Sequence, residues 1–174
     1  MGKKIRILFV CHGNICRSPM AEFVMKQLVE KAGLSDAFFI DSKATSTEEL
    51  GNPPYPPARA KMREMGVPQP PHYASQISRA DYDRFDLIIG MDSANIRNML
   101  RIFGGDPDGK IHKLREYSGS SGDIDDPWYT GDFDITYDQI LEGCTALLEN
   151  AESFCTNEPV SKVLAVSAKK KLPN

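Results

Sequence analysis

The residues Ile5-Arg6-Ile7-Leu8-Phe9-Val10 form a short apolar, β-branched run that stops at Cys11-His12-Gly13-Asn14, and a helical pattern follows at once. A run this short, bounded by a glycine-containing turn, reads as a strand buried on both faces. From Met20 to Ala32 apolar residues recur at helical period; Pro19 suits the first turn and Gly33 ends it. The alternation continues along the chain. Phe38–Ser42 predicts a second strand, and the proline-dense loop from Gly51 to Pro57 leads to a helix over Ala58–Met65 that Gly66 stops. Phe85–Met91 predicts a third buried strand, Ser93–Phe103 a helix, and Ile111–Leu114 a short fourth strand. Ser118-Gly119-Ser120-Ser121-Gly122 reads as a flexible stretch, and Ile135–Phe154 as a last long helix. Strands that alternate with helices specify an α/β fold: a three-layer sandwich, with a four-stranded parallel sheet covered by helices on both faces. In such sheets ligands bind beyond the carboxyl ends of the strands, so the loop after Val10 is the first place to look for chemistry.

Composition narrows the function classes. The 174 residues are 41% hydrophobic and 26% charged, the balance of one soluble domain able to bury a core without a metal or disulfide staple. No apolar run approaches the roughly 18 residues needed to span a bilayer. The basic then apolar N-terminus looks superficially like a secretory signal, but its apolar part is too short and no small-residue cleavage site follows. Gly2 is followed by Arg6 where a myristoylation signal needs Ser or Thr. A cytoplasmic domain is expected. Net charge is −3; the four lysines after residue 158 (Lys162, Lys169, Lys170, Lys171) leave 17 basic against 24 acidic groups in residues 1–158. An acidic body argues against nucleic acid as a partner, which needs a basic face. The expected organisation is a domain over residues 1–156 and a solvated basic tail over 157–174.

The cysteines, Cys11, Cys16, Cys144 and Cys155, are too few for a disulfide scaffold. Cys144 lies on a helical face, where a buried structural thiol is usual. There is no Cys-x-x-Cys pair, and His12, His72 and His112 lack metal-ligand spacing, so neither a metal site nor a cofactor is expected.

The segment Cys11-His12-Gly13-Asn14-Ile15-Cys16-Arg17-Ser18 joins the first strand to the first helix. Gly13 and Asn14 tolerate positive φ, which lets the loop curl with its N–H groups inward. Inward amides and a helix N-terminus make a cradle for a phosphate-sized anion, and Arg17 adds a planar fork that grips two phosphate oxygens. Cys11, at the base of this cradle, sits in the same field, which favours its thiolate. A phosphate held above a thiolate is a device for nucleophilic attack on phosphorus. The loop lacks the Gly-Lys-Ser/Thr ending of nucleotide-binding loops, so a kinase or GTPase is excluded. Expulsion of an alkoxide or phenoxide needs an acid on the same rim. Asp125-Asp126-Pro127-Trp128-Tyr129 supplies carboxylates stiffened by proline, and aromatic side chains that could wall a pocket. The residues alone leave the choice between Asp125 and Asp126 open.

Together, Val10 to Glu22 and Asp126-Pro127-Trp128-Tyr129 resemble the signature loop and acid loop of the low-molecular-weight protein tyrosine phosphatase family, and the match runs to about residue 156. The resemblance implies metal-independent hydrolysis of phosphotyrosine monoesters through a phosphocysteine. In that scheme Cys11 is the nucleophile, Arg17 the phosphate clamp, and Asp126 the acid and then the base. It implies phosphate binding by the loop residues His12, Gly13, Asn14, Ile15, Cys16 and Ser18, with Ser18 also hydrogen-bonding the sulfur. It implies an Asn14–Ser18–Ser42–His72 network propping the loop, and Trp128 and Tyr129 lining the substrate cleft. The partners implied are phosphotyrosyl proteins or peptides, with inorganic phosphate released, and the chain is expected to act as a monomer or weak dimer. Asp41–Ser46 replaces the glycine-containing turn common in the family after the second strand.

Two enzymatic alternatives share this fold. A thioredoxin-coupled arsenate reductase needs a relay pair of later cysteines close in sequence, whereas Cys144 and Cys155 lie far apart. Phosphoarginine phosphatases resemble this chain but carry Thr in place of the bulkier Ile15. A phosphopeptide-binding or redox-sensing module is the non-enzymatic alternative, with Cys11, Arg17 and Asp126 all arguing for catalysis. Cys16, on the same small loop as Cys11, is read either as a small buried residue or as a redox partner that shields the nucleophile by forming a disulfide.

Overall fold

The computed structural model describes residues 3–155. The basic tail expected over 157–174 lies outside the described residues, as does the side chain of Cys155. The strands are β1 (Ile5–Cys11), β2 (Phe38–Ala44), β3 (Leu87–Gly90) and β4 (Ile111–Lys113). The helices are α1 (Arg17–Lys31), α2 (Pro56–Glu64), α3 (Asp81–Arg84), α4 (Ser93–Phe103), α5 (Pro127–Thr130) and α6 (Phe133–Cys155). Short 3-10 turns cover Ser35–Ala37 and Leu114–Ser118.

All strand pairs are parallel, in the order β2-β1-β3-β4. Strand β1 is central, and its alternation divides the core. Ile5, Ile7, Phe9 and Cys11 face α1, α2 and α6, whereas Leu8 and Val10 face α3 and α4. Ile7, Leu8, Phe9 and Val10 are wholly buried, each worth roughly 1.5–3 kcal/mol as a side chain removed from water. The expected three-layer sandwich is therefore the observed architecture. From β1 the chain moves to β2 on one side and then crosses to β3 on the other. That reversal opens a crevice at the carboxyl ends of β1 and β3.

Local departures from the sequence reading have local causes. Strand β2 continues beyond Ser42 to Ala44; then Thr45 N donates to Cys11 O and Ser46 N to His12 O, so the segment runs on beside the loop after β1. Strand β3 starts at Leu87, because the Asp86 carboxylate leaves the strand pattern to accept from Arg6 N at 2.8 Å. Helices α3 and α5 have four residues each, too few to show a period. Helix α2 begins at Pro56, since proline at the first helical positions costs no intrahelical bond. The stretch 118–122, read as flexible, is tied down by Lys113 Nζ on Ser121 O at 2.6 Å and by the Gly122 N to Ser120 Oγ bond. Gly90, the last residue of β3, is required by close packing. A Cβ there would meet Met99 Cε at 2.8 Å and Asn95 Cβ at 3.2 Å, so glycine lets α4 close against the end of β3. Among the described residues no helix is long and apolar enough to cross a membrane.

Candidate active site

Cys11 is the last residue of β1, and the loop after it turns back under its sulfur. Asn14 takes φ +60, the left-handed conformation that asparagine tolerates, and its own N–H points at Cys11 Sγ at 3.3 Å. Cys16 precedes α1 without a side-chain cap. The amides of Gly13, Ile15, Cys16 and Arg17 find no protein acceptor among the described residues. Uncapped helix-start amides beside a curled loop are the donors that an anion recruits.

The Asn14 side chain lies beneath the loop, wholly buried, and organises it. Its Nδ2 donates to Ser18 Oγ at 2.8 Å and to Ser42 Oγ at 3.0 Å; its Oδ1 accepts from Ser75 N at 3.3 Å and lies 3.0 Å from His72 Nε2. Ser42 Oγ donates in turn to Glu22 Oε1 at 2.6 Å, which fixes the direction of the network. With its oxygen accepting from Asn14, the Ser18 hydroxyl has its hydrogen free for Cys11 Sγ, 3.0 Å away. The sulfur thus faces two donors, an arrangement that suits an anion. Asn14 and Ser18, expected among the residues at the phosphate, present their side chains to the network beneath the loop, where Ser42 and His72 also lie.

Arg17 opens α1 and is almost completely buried, at 2% exposure. Its Nη1 donates to Asp92 Oδ2 at 2.8 Å and to Ile124 O at 3.0 Å, and its Nη2 to Asp126 Oδ2 at 3.3 Å. Burial alone would lower its pKa. The charges of Cys11, Asp126 and Asp92 outweigh burial and hold it above the ordinary value. Asp92 does double duty: its other oxygen caps α4 through Asn95 N at 2.8 Å. Asp126 caps α5 through Trp128 N at 3.1 Å, which leaves its second oxygen turned toward Arg17 and the cleft. Asp125 N is held instead by Gln139, and Asp125 O by Thr136 Oγ1.

The cleft has Cys11, His12, Gly13, Ile15, Cys16 and Arg17 as its floor, Asp126, Trp128 and Tyr129 on one wall, and Glu48 and Glu49 on the other. The Trp128 ring packs on Tyr55 with centroids 4.9 Å apart, and Tyr55 N donates to Ile15 O at 2.8 Å, so one residue ties the aromatic wall to the loop. Burial, with Cys11 and Asp126 nearby, pushes the Cys16 thiol up to about 12. Cys144 is not among the residues that line this cleft; it is fully buried in the core, and burial raises its pKa too.

Sequence reasoning gave no site role to Asp92 or Glu22, although both fall in stretches that match the family's pattern, and it missed Tyr55, Glu48 and Glu49. Asp92 carried a usable signal, because it directly follows β3 and so lies on the same rim as the loop after β1. The others meet the loop only through the tertiary fold.

A sequence profile of the family described as low molecular weight phosphotyrosine protein phosphatase matches residues 6–156. The enzyme of that name from Rattus norvegicus is 43% identical over 148 residues, covering 82% of this chain and 93% of its own. The crystal structure of YfkJ from Bacillus subtilis superposes with a TM-score of 0.84 at 38% identity, covering 87% of this chain and 97% of that one. The structure of a Drosophila arginine phosphatase is similar as well, with a TM-score of 0.76 at 31% identity over 91% of this chain and all of its own. The chain belongs to the low molecular weight phosphotyrosine protein phosphatase family.

Proposed function

We propose that this chain is a protein tyrosine phosphatase that hydrolyses phosphotyrosine monoesters through a phosphocysteine on Cys11. The observation that carries this reading is the convergence of a doubly hydrogen-bonded Cys11 sulfur, a buried Arg17 and the Asp126 carboxyl on one cleft. The Cys11 thiolate attacks phosphorus while the bond to the tyrosine oxygen breaks, and protonated Asp126 gives that oxygen its proton. Water then attacks the phosphocysteine, Asp126 takes the water's proton, the phosphorus–sulfur bond breaks and inorganic phosphate leaves. The loop amides and Arg17 hold the equatorial oxygens through both steps, so charge neutralisation falls to the protein and not to a metal. The Ser18 hydroxyl stabilises the departing thiolate. A bound phosphate competes with Asp126 for Arg17 Nη2, while Asp92 holds the guanidinium through Nη1.

Metal-free hydrolysis of an aryl phosphate tests the reading. Wild type is expected to turn over with a chelator present, and Cys11→Ser to lose about 10,000-fold in kcat or more. Full activity in Cys11→Ser refutes it. Phosphoarginine is the competing substrate, suggested by the arginine phosphatase among the similar structures. Ile15 on the floor and the rings of Trp128 and Tyr129 on the wall favour an aryl ester instead. Faster turnover of phosphoarginine than of phosphotyrosine would reverse that choice. The buried position of Cys144 gives an arsenate-reductase relay no support.

The cleft is complete within one chain, in keeping with a monomer or weak dimer. A thiol nucleophile works only where it stays reduced, which fits the cytoplasm. Cys11 and Cys16 are both free thiols on the cleft floor. In our reading a peroxide oxidises Cys11 to a sulfenic acid, and Cys16 displaces its oxygen as water to form a disulfide. Mass spectrometry after mild peroxide treatment is expected to find the Cys11–Cys16 peptide; sulfinic acid on Cys11 without that peptide contradicts it.

A further inference from the structure

The phosphate cradle has an acidic mouth. Its lining brings two basic side chains, Arg17 and His12, against three carboxylates, Glu48, Glu49 and Asp126. Arg17 is already engaged by Asp92 and Asp126, and His12 Nε2 lies 2.8 Å from Glu48 Oε2. Glu49 stands apart. Its stem packs on the phosphate loop, since a Cβ at Gly13 would lie 3.4 Å from Glu49 Cγ. Its carboxylate takes a long hydrogen bond from Asn52 Nδ2 at 3.4 Å and has no ion-pair partner among the described residues. The charge is felt at the floor of the cleft, where Glu49 is one of the groups that raise the Cys16 pKa. Beside it, the Glu48 side chain is 69% exposed.

These positions divide the cleft into an anion-binding floor and an anion-repelling rim. A phosphoryl group at the floor meets the loop amides and Arg17. The peptide around the phosphotyrosine stays outside, against Glu48 and Glu49, where acidic side chains meet like charge and basic ones meet an uncompensated carboxylate. Resting on the phosphatase reading above, we infer that Glu49, assisted by Glu48, makes the enzyme select phosphotyrosyl peptides that carry Lys or Arg within a residue or two of the phosphotyrosine. The net charge of −3 acts in the same direction at longer range. A rim charge contributes little singly, so the selection is modest and depends on salt. The attraction is equal in the bound and transition states, and it therefore lowers KM and leaves kcat alone.

Two phosphotyrosyl peptides of equal length, one with Lys and the other with Glu on both sides of the phosphotyrosine, form the test, with an aryl phosphate assayed beside them. At low salt the basic peptide is expected to have about tenfold higher kcat/KM, mainly through KM, falling to about threefold near 0.5 M salt. In Glu48→Gln/Glu49→Gln, which keeps both stems, the ratio is expected to fall to within about twofold of unity. A structural role for Glu49 against Gly13 would change kcat for both peptides alike and leave their ratio in place. A ratio near one in wild type, or a wild-type ratio that survives in the double variant, overturns the inference. Wild type inactive on the aryl phosphate would instead refute the phosphatase reading itself.

Discussion

Two loops meet over the cleft, and they are built in opposite ways. From Asn14 to Ser18 the first loop is made like core: Asn14 and Ser18 are wholly buried, Arg17 is 2% exposed, and one amide side chain links four neighbours. The acid loop is anchored at Ile124, which is buried and donates to Met91 O, and then turns outward, leaving Trp128 54% and Tyr129 84% exposed. The phosphoryl group is the same in every substrate, so the parts that hold it gain from rigid placement. The leaving group and its peptide vary, so the parts that touch them stay near the surface. If this division holds, substitutions in the buried loop should abolish turnover for all substrates, and those in the exposed one should act selectively.

Arg17→Lys should have the largest effect of the variants that keep Cys11, about 1,000-fold in kcat, because an ammonium cannot bond Asp92, the Ile124 carbonyl and phosphate with one planar fork. Steady-state assays on several aryl phosphates should find that loss for every leaving group. Asp126→Asn should lose about 100-fold on phenyl phosphate and much less on an ester with an acidic phenol, which needs little protonation. Equal losses on both esters would put the acid elsewhere, and Asp125→Asn is the control. Asn14→Ala should lower unfolding stability by about 2–4 kcal/mol, seen in urea titration, since it removes the hydrogen bonds to buried Ser18 and Ser42, leaves Ser75 N without its acceptor and puts alanine at positive φ. With the Cys16 thiol pushed up to about 12, iodoacetamide at pH 7 should label Cys11 and spare Cys16. Labelling of Cys16 should then grow about tenfold for each unit of rising pH. The smallest change belongs to the outer wall: Tyr129→Ala should raise KM about threefold for peptides.

The buried loop was legible in the sequence because its constraints are local. A strand, a glycine turn, an arginine and a helix start succeed one another within 18 residues, and each has a propensity that shows without a neighbour. Most helices and strands were legible for the same reason, through periodicity. The support beneath the loop showed no such local signal, and its members Asn14, Ser18, Ser42 and His72 were named only through the family resemblance. Arg17 meets Asp92 across 75 residues, Asn14 meets His72 across 58, and His12 meets Glu48 across 36. These pairs exist because the sheet order β2-β1-β3 brings the strand ends together, and no spacing along the chain encodes them. Glu49 illustrates the limit: in sequence it is one acid among Thr47-Glu48-Glu49-Leu50, and only its packing on Gly13 sets it at the mouth of the cleft. Asp125 and Asp126 were likewise indistinguishable from the residues alone; the family resemblance implied Asp126, and helix capping turns that carboxylate toward Arg17.

Trapping the phosphoenzyme tests the central claim most directly. Asp126→Asn, mixed with an aryl phosphate and quenched in acid within milliseconds, should carry one phosphoryl group on the peptide containing Cys11, and Cys11→Ser treated alike should carry none. A phosphoryl group on any other residue, or turnover with no phosphoenzyme at any quench time, would contradict the account.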